Sequence, residues 1–386
     1  MRILFIGEFS NVHNTLAQGL KKLGHEVVVA SNGDYWKQYH RDIDLARIHE
    51  DGMGMMVKVR NAIHLMQFLF RLALALPKMH GFDVVQFINP YFVSLKSENS
   101  FWLYRYLRRN NKKVILGAYG DDFYLVDCMT RKKPLRYSDY NRGEEELFNE
   151  EANKRRAEWL GTSRETMNRY IASDCDAIIA GAYEYWVPYN LSEDRDTTQR
   201  LLRDKLYLVP FPVVIPSQVN IPSSSEKLRV FIGISKGRSV FKGTDILLRV
   251  AEALQAKYPE KMELRKAEGV PFDVYQTMMD SSDVLLDQIY AYGPGMNALL
   301  AMSKGMIVFS GGEPEHYDSM GEKECRPIVK TLPSYEYLYE KLEWLILHPE
   351  VVERLKRQSR EYVVRNHEYM KIARRMEEIY DSLLNS

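Results

Sequence analysis

The sequence predicts an α/β protein made of two doubly wound, Rossmann-like halves that face a cleft. Three observations predict it. An apolar run, a polar loop, a helical period closed by glycine and a second apolar run succeed one another from "RILFIG" to "HEVVVAS", which is a βαβ unit with a parallel pair of strands. The same alternation stops at a proline- and serine-rich stretch, "FPVVIPSQVNIPSSSEK", and starts afresh at "KLRVFIGI". The strand-length runs are apolar throughout, as strands covered by helices on both faces require.

Taken in order, Leu16, Leu20 and Leu23 share a helical spacing and Gly24 closes that first helix. "FDVVQFI", a helix from about Leu95 to Asn110, "KKVILGAYGDD", "CDAIIAGA" and "KLYLVPFP" complete the first half, residues 1–212. In the second half, residues 213–366, the strands "KLRVFIGI", "MELRKA", "DVLLDQI" and "MIVFSGG" alternate with helices. These are "TDILLRVAEALQAKY", with Ile246, Val250 and Leu254 on one face, then "VPFDVYQTMMDSS" and "MNALLAMSKG". Ser334 to Ser386 reads as mostly helical. The charge-rich segment from Glu144 to Tyr170 reads as one long solvated helix. Val59 to Lys78 carries Arg60, His64, Gln67 and Arg71 as a narrow polar stripe on an otherwise apolar helix. That pattern is too interrupted for a membrane span, and a helix lying on a membrane normally has a broad polar face. Its apolar breadth favours a helix buried between other elements.

A length of 386 residues suits two domains. The net charge of +1 gives no overall field for nucleic acid. Three scattered cysteines, Cys128, Cys175 and Cys325, argue against a disulfide framework or a zinc cluster and fit a reducing cytoplasm. The apolar part of "MRILFIGEFS" is short for a signal peptide and no cleavage pattern follows it.

Four loops follow strands, and in doubly wound sheets ligands bind at the carboxyl ends of strands. The first, "GEFSNVHN", offers Gly7, Glu8, Asn11 and His13 beside a helix start. His13 serves there as base, donor or substrate contact; alternatively Asn11 caps the helix and His13 lies on the surface. The second, "AYGDD", offers Tyr119, Gly120, Asp121 and Asp122. Its carboxylates suit sugar hydroxyls or a general base, or one of them caps the next turn. The third, "GRSVFKGTDILL", places Arg238 and Lys242 four residues apart and ahead of Gly243. Lys-Gly-Thr is the wrong order for a P-loop. A glycine loop, two cations and a helix N-terminus still make a seat for a diphosphate. The fourth, "DQIYAYGPGMNALLAM", brings Asp287 at a strand end and Gly295, Met296 and Asn297 at another helix start.

The order of these loops resembles the GT-B glycosyltransferases, and within them the retaining glycosyltransferase group 1. "SNVHNTLAQGLKKLGHEVVVAS" is similar to the family's opening, and "AYGDD" to its "HGSD", with Tyr119 where a His is usual. "LYLVPFPV" is similar to its "V-I-P-N-P-V", and "GRSVFKGTDIL" to its donor-diphosphate element. "SGGEPE", with Glu315, is similar to its "G-G-x-P-E", and the C-terminal helical segment to helices whose last member, residues 367–386, crosses back onto the first domain. The family's Glu-x7-Glu pair is replaced here by Tyr292 and Leu300. Leucine cannot meet a ribose hydroxyl, and Asp287 is the residue placed to do so.

The resemblance implies a metal-independent, retaining transfer from a UDP- or GDP-linked sugar to a glycan or lipid-linked glycan in polysaccharide or glycoconjugate assembly. His13, Asp121 and Asp122 are then the catalytic candidates, and Arg238, Lys242, Gly243, Gly295, Met296 and Asn297 hold the donor diphosphate. Asp287, Tyr292 and Glu315 meet the nucleoside or sugar. The implied partners are donor and acceptor, with no nucleic acid and no cofactor, in the cytoplasm or peripherally at the inner membrane face. The replaced Glu pair and Tyr119 keep two alternatives open: a catalytically silent nucleotide- or sugar-binding GT-B protein in an assembly complex, and a GT-B enzyme of another reaction such as a nucleotide-sugar epimerase. A phosphorylase would need a cofactor lysine site, which is not identifiable in the sequence.

Overall fold

A computed structural model describes the chain except residues 53, 218, 220–226 and 236 and the side chains of residues 36 and 98. Much of the expected linker, 218 and 220–226, thus lies outside the described residues.

The strands in chain order are β1 (Arg2–Ile6), β2 (Glu26–Ser31), β3 (Ile43–Asp44), β4 (Val84–Phe87), β5 (Lys113–Ala118), β6 (Asn141–Arg142), β7 (Glu145–Glu146), β8 (Ala177–Ala180), β9 (Leu206–Leu208), β10 (Leu228–Ile234), β11 (Met262–Glu268), β12 (Val284–Leu286), β13 (Ile307–Ser310) and β14 (Val329–Lys330). The first sheet runs β3-β2-β1-β4-β5-β8-β9 and the second β11-β10-β12-β13-β14. Every pairing in both is parallel; Ile3, for example, stands between Val27 and Val84. Ile3 to Ile6 and Val230 to Ile232 are fully buried, as their uninterrupted apolar runs require. Strand order reverses between β1 and β4 and again between β10 and β12. Those crevices take the loops after β1, β10 and β12, which is where ligands bind in such sheets.

The helix Tyr369–Asn385 returns to the first half and lies on the helix Val12–Lys22. Gly19 permits this approach: a Cβ there would stand 2.6 Å from that of Ala373. Tyr380 donates to the side chain of Gln86 at 2.7 Å, and His25 meets Glu377 at 2.7 Å. The outgoing chain at Val213 bridges to Glu368 on the return.

The first helix starts on an unexpected cap. Asn11 has a left-handed backbone and makes no side-chain cap. Glu8, 1% exposed, accepts the N–H groups of His13 and Asn14 instead, at 3.3 and 2.9 Å. Burial pushes its pKa up to about 8 in spite of those donors.

Two helical expectations are corrected. Glu144 to Tyr170 is not one solvated helix. Its start belongs to the β6–β7 hairpin, and the rest divides into Glu150–Trp159 and Ser163–Asp174 around Gly161, whose φ is 69°. Trp159 is buried, and Thr162 caps the second helix. The helix Met55–Ala75 is not buried between other elements either. Only Phe68, Leu72 and Ala75 are buried, while Met66, Phe70 and Leu74 are 60–67% exposed. Its polar stripe borders the buried seam, where the half-exposed Arg60 pairs with Glu50 and Arg71 with Asp44, both at 2.7 Å.

Between β5 and β8 the chain makes a strap that crosses to the second half. Arg136 binds Glu315 at 2.5 Å and Glu313 at 2.9 Å, and its backbone N–H donates to the Tyr292 hydroxyl at 2.7 Å. Tyr137 donates to Glu313, Arg142 to the Tyr290 hydroxyl, and Tyr140 packs edge-on against Phe241. Glu313 is 1% exposed, so its charge depends on these partners and on Lys330 at 3.4 Å.

Arg136→Ala should lower the thermal midpoint by an amount equivalent to about 1–3 kcal/mol, the cost of an under-satisfied buried carboxylate, and enlarge the radius of gyration in solution scattering. No change in either would show that the strap does not hold the halves together. The raised Glu8 pKa means stability that is complete below the carboxylate's unfolded value, 4.5, and is lost as pH rises through about 8. Between pH 6 and 9 the wild type should therefore lose thermal stability relative to Glu8→Gln; parallel profiles would contradict this.

Candidate functional site

The cleft between the halves is a cavity of about 680 Å³. One wall comes from the loops after β1, β4 and β5, the other from those after β10 and β12. Of the residues singled out in the sequence, Tyr119, Gly120, Asp121, Arg238, Lys242, Asp287, Gly295, Met296 and Asn297 line it.

The third loop forms a short helix of its own, Ser239–Lys242, joined through Gly243 to the helix Thr244–Lys257. Gly243 has a φ of 73°, and a Cβ there would meet Ile289 at 2.8 Å, so the junction needs glycine. Neither cation has a carboxylate among the described residues within hydrogen-bond distance, although Glu151 acts on Arg238 and Asp287 and Asp139 act on Lys242. The Lys242 ammonium has no hydrogen-bond or ion-pair partner among the described residues. Burial lowers its pKa, opposed by Asp287. The Nε of Arg238 lies 3.9 Å from Glu151 and is buried without a hydrogen-bond partner among those residues, and its guanidinium lies 5.6 Å over the Phe241 ring. In the same cavity lies the N-terminus of the helix Met296–Ser303, which has no side-chain cap, so its first N–H groups are free to meet an anion. Asn297 donates to Asp287 at 3.3 Å and accepts from Tyr275 at 3.1 Å; Asp287 also accepts from Ser310 at 2.9 Å.

On the facing wall, Asp121 accepts from Tyr140 at 2.9 Å and pairs with Arg155 at 3.3 Å. Four further acidic groups share the cleft and were not picked out in the sequence: Asp34, Asp139, Glu158 and Glu184. Burial pushes Asp139 up to about 8 and Glu184 up to about 7. Glu184 Oε2 is buried without a partner. Arg155 and Arg164 are also in the wall; Arg164 lies 4.2 Å over the ring of Tyr91. Such a cavity has cations to neutralise a diphosphate at one end, and carboxylates and aromatic faces to hold hydroxyls at the other.

The other candidates lie elsewhere. His13 is fully buried: it stacks on Phe5 with centroids 4.5 Å apart, and its Nδ1 is 2.8 Å from the Gly7 carbonyl. Burial lowers its pKa to about 3, so it is a neutral framework residue and not a base in the cleft. Gly7, Glu8 and Asn11 shape the turn before the helix and do not line the cavity. Asp122, 1% exposed, caps the helix Phe123–Asp127 through the Leu125 N–H at 2.8 Å and accepts from Tyr189 at 2.7 Å. Tyr292 is 2% exposed under Arg136, and Glu315 is paired with the same guanidinium; neither lines the cavity.

No family model and no curated protein sequence matches the chain. Its fold does match solved structures. Sucrose-phosphate synthase from Thermosynechococcus elongatus superposes with a TM-score of 0.59 at 12% identity, covering 100% of both chains. Anabaena HepE in complex with UDP gives 0.55 at 11% identity over 99% of this chain and 100% of its own. UDP-GlcNAc 2-epimerase from Neisseria meningitidis bound to UDP-GlcNAc gives 0.52 at 12% identity over 100% of both. Two parallel doubly wound sheets, a cleft between them and a C-terminal helix that crosses back are the GT-B fold of these proteins, and the chain has that fold.

Proposed function

We propose that the chain is a nucleotide-sugar-dependent glycosyltransferase of the retaining group 1 kind, acting on a glycan or lipid-linked glycan in polysaccharide or glycoconjugate assembly. The observation that carries this reading is the pair of cations, Arg238 and Lys242, whose side chains hydrogen-bond no carboxylate among the described residues, in a cavity that also holds a bare helix N-terminus. Uncompensated positive groups in a half-buried site are unfavourable unless an anion completes them. A nucleoside diphosphate does so, and HepE and the epimerase bear UDP and UDP-GlcNAc in the same fold.

In this reading the diphosphate lies between Arg238, Lys242 and the N–H groups of Met296 and Asn297. As the sugar–phosphate bond breaks, negative charge grows on the departing phosphate, and these fixed donors stabilise it without a metal. Asp287, with Asn297 beside it, takes the ribose contact that Leu300 cannot make. Asp121, Asp139 and Glu184 hold hydroxyls of the sugar or acceptor. The strap keeps the halves close and water out, which disfavours hydrolysis of the donor. A second reading, a silent or epimerising GT-B protein, draws on Tyr292 sealed where the family has its first Glu and on the likeness to the epimerase. Product analysis separates them: nucleoside diphosphate release with sugar on the acceptor, an isomerised donor, or binding without turnover.

Arg238→Ala and Lys242→Ala should each weaken UDP or GDP binding in calorimetry by about 1–3 kcal/mol; unchanged affinity in both would remove the anion seat. Asp121→Asn should reduce turnover while leaving the nucleotide Kd unchanged, because Asp121 lies on the facing wall; an equal loss in both would place it on the donor instead.

A further inference from the structure

The helix Met55–Ala75 buries only Phe68, Leu72 and Ala75 and leaves most of its apolar surface in water. Its polar stripe runs along the edge of that buried seam, with Arg60 and Arg71 half-exposed. Arg60 meets Glu50 at 2.7 Å, Asn61 holds the Glu50 backbone, and Arg71 meets Asp44 and the Ala46 carbonyl. The outward ridge is apolar: Met55, Val59, Ile63, Met66, Phe70 and Leu74 are 42–77% exposed. Only 22% of its most apolar 18-residue window is buried, at a mean hydropathy of 1.2. A contiguous apolar face of this length on a water-exposed helix marks an interaction surface.

The charge around it decides the partner. No Asp or Glu occurs from Gly54 to Phe82, while Lys58, Arg60, Arg71 and Lys78 do. The neighbouring helix Ser97–Asn110 is joined to this one by Tyr106, whose hydroxyl donates to the Leu76 carbonyl at 3.0 Å. That helix carries Trp102, Arg105, Tyr106 and Arg109 on one face, at i, i+3, i+4 and i+7. Trp102 is 55% exposed, its ring stacks on Tyr106, and the face borders a cavity of about 340 Å³. Lys58, Lys78, Arg105 and Arg109 have no carboxylate partner among the described side chains. An apolar ridge beside an aromatic and basic stripe matches the layering of an anionic lipid surface, with acyl chains below and phosphates above. A second copy of the chain would bring the same cations face to face across a two-fold contact.

We propose that this face docks on an anionic phospholipid surface, with Met66, Phe70 and Leu74 entering the acyl boundary and Arg105 and Arg109 meeting phosphates. The docking does not depend on glycosyl transfer. The test is sedimentation of the full chain with vesicles of phosphatidylglycerol and phosphatidylcholine, against phosphatidylcholine alone. Binding to the anionic vesicles is expected, weaker by about tenfold on neutral ones. The combined change Met66→Ser, Phe70→Ser and Leu74→Ser should reduce it about tenfold or more at an unaltered thermal midpoint. Arg105→Glu with Arg109→Glu should abolish the preference for anionic lipid. A wild type that stays in the supernatant would overturn the proposal. So would vesicle binding indifferent to both variants, or a dimer in sedimentation velocity that the triple change dissolves.

Discussion

The structure depends on a buried carboxylate that cannot stand alone. Glu313 follows β13 in the second half and is 1% exposed, yet its partners Arg136 and Tyr137 come from the strap of the first half. A carboxylate removed from water must be compensated, and here the compensation lies across the cleft. The two sheets are therefore tied at a second place, besides the crossing of the chain at Val213 and Glu368. That second tie sets the width of the cleft. It also seals Tyr292 and occupies Glu315, so it decides which residues remain open to a ligand.

What remains open is unusually charged. Basic and acidic groups face one cavity, and several are not hydrogen-bonded to one another: the Lys242 ammonium, the Nε of Arg238 and one oxygen of Glu184 have no hydrogen-bond partner among the described residues. Some buried charges elsewhere are closely satisfied. Asp283, for example, takes Arg229 on one side and Lys356 on the other. Unpaired charged atoms gathered on one cavity fit a site whose last partners arrive with the ligand.

The fold was largely readable because its strands are buried on both faces and so appear as unbroken apolar runs. The two-residue strands β3, β6, β7 and β14 have no such run. Arg238, Lys242 and the start of the helix at Met296 were readable because strand, loop and helix follow in sequence. His13 was misplaced because its burial is set by Phe5 on β1, Gln86 on β4 and Tyr119 just after β5, three separate parts of the sequence. Asp121 and Asp122 are adjacent in sequence, and only the hydrogen bond to Leu125 shows which one caps. Asp139, Arg155 and Glu158 belong to the strap and to a segment whose charges looked solvated; the crossing that turns them inward leaves no periodic trace. The outward ridge at Phe70 was hidden for a related reason. Periodicity finds a polar stripe, but contacts with Asp44 and Glu50 decide which way it points.

The central claim is that Arg238, Lys242 and the helix N-terminus at Met296 seat a diphosphate on the second half of the cleft. A crystal structure of the protein with UDP or GDP tests it most directly. The account predicts both phosphates within hydrogen-bond distance of those side chains and of the Met296 and Asn297 N–H groups, with the ribose towards Asp287. Phosphates bound on the opposite wall, at Arg155 and Arg164, would contradict it.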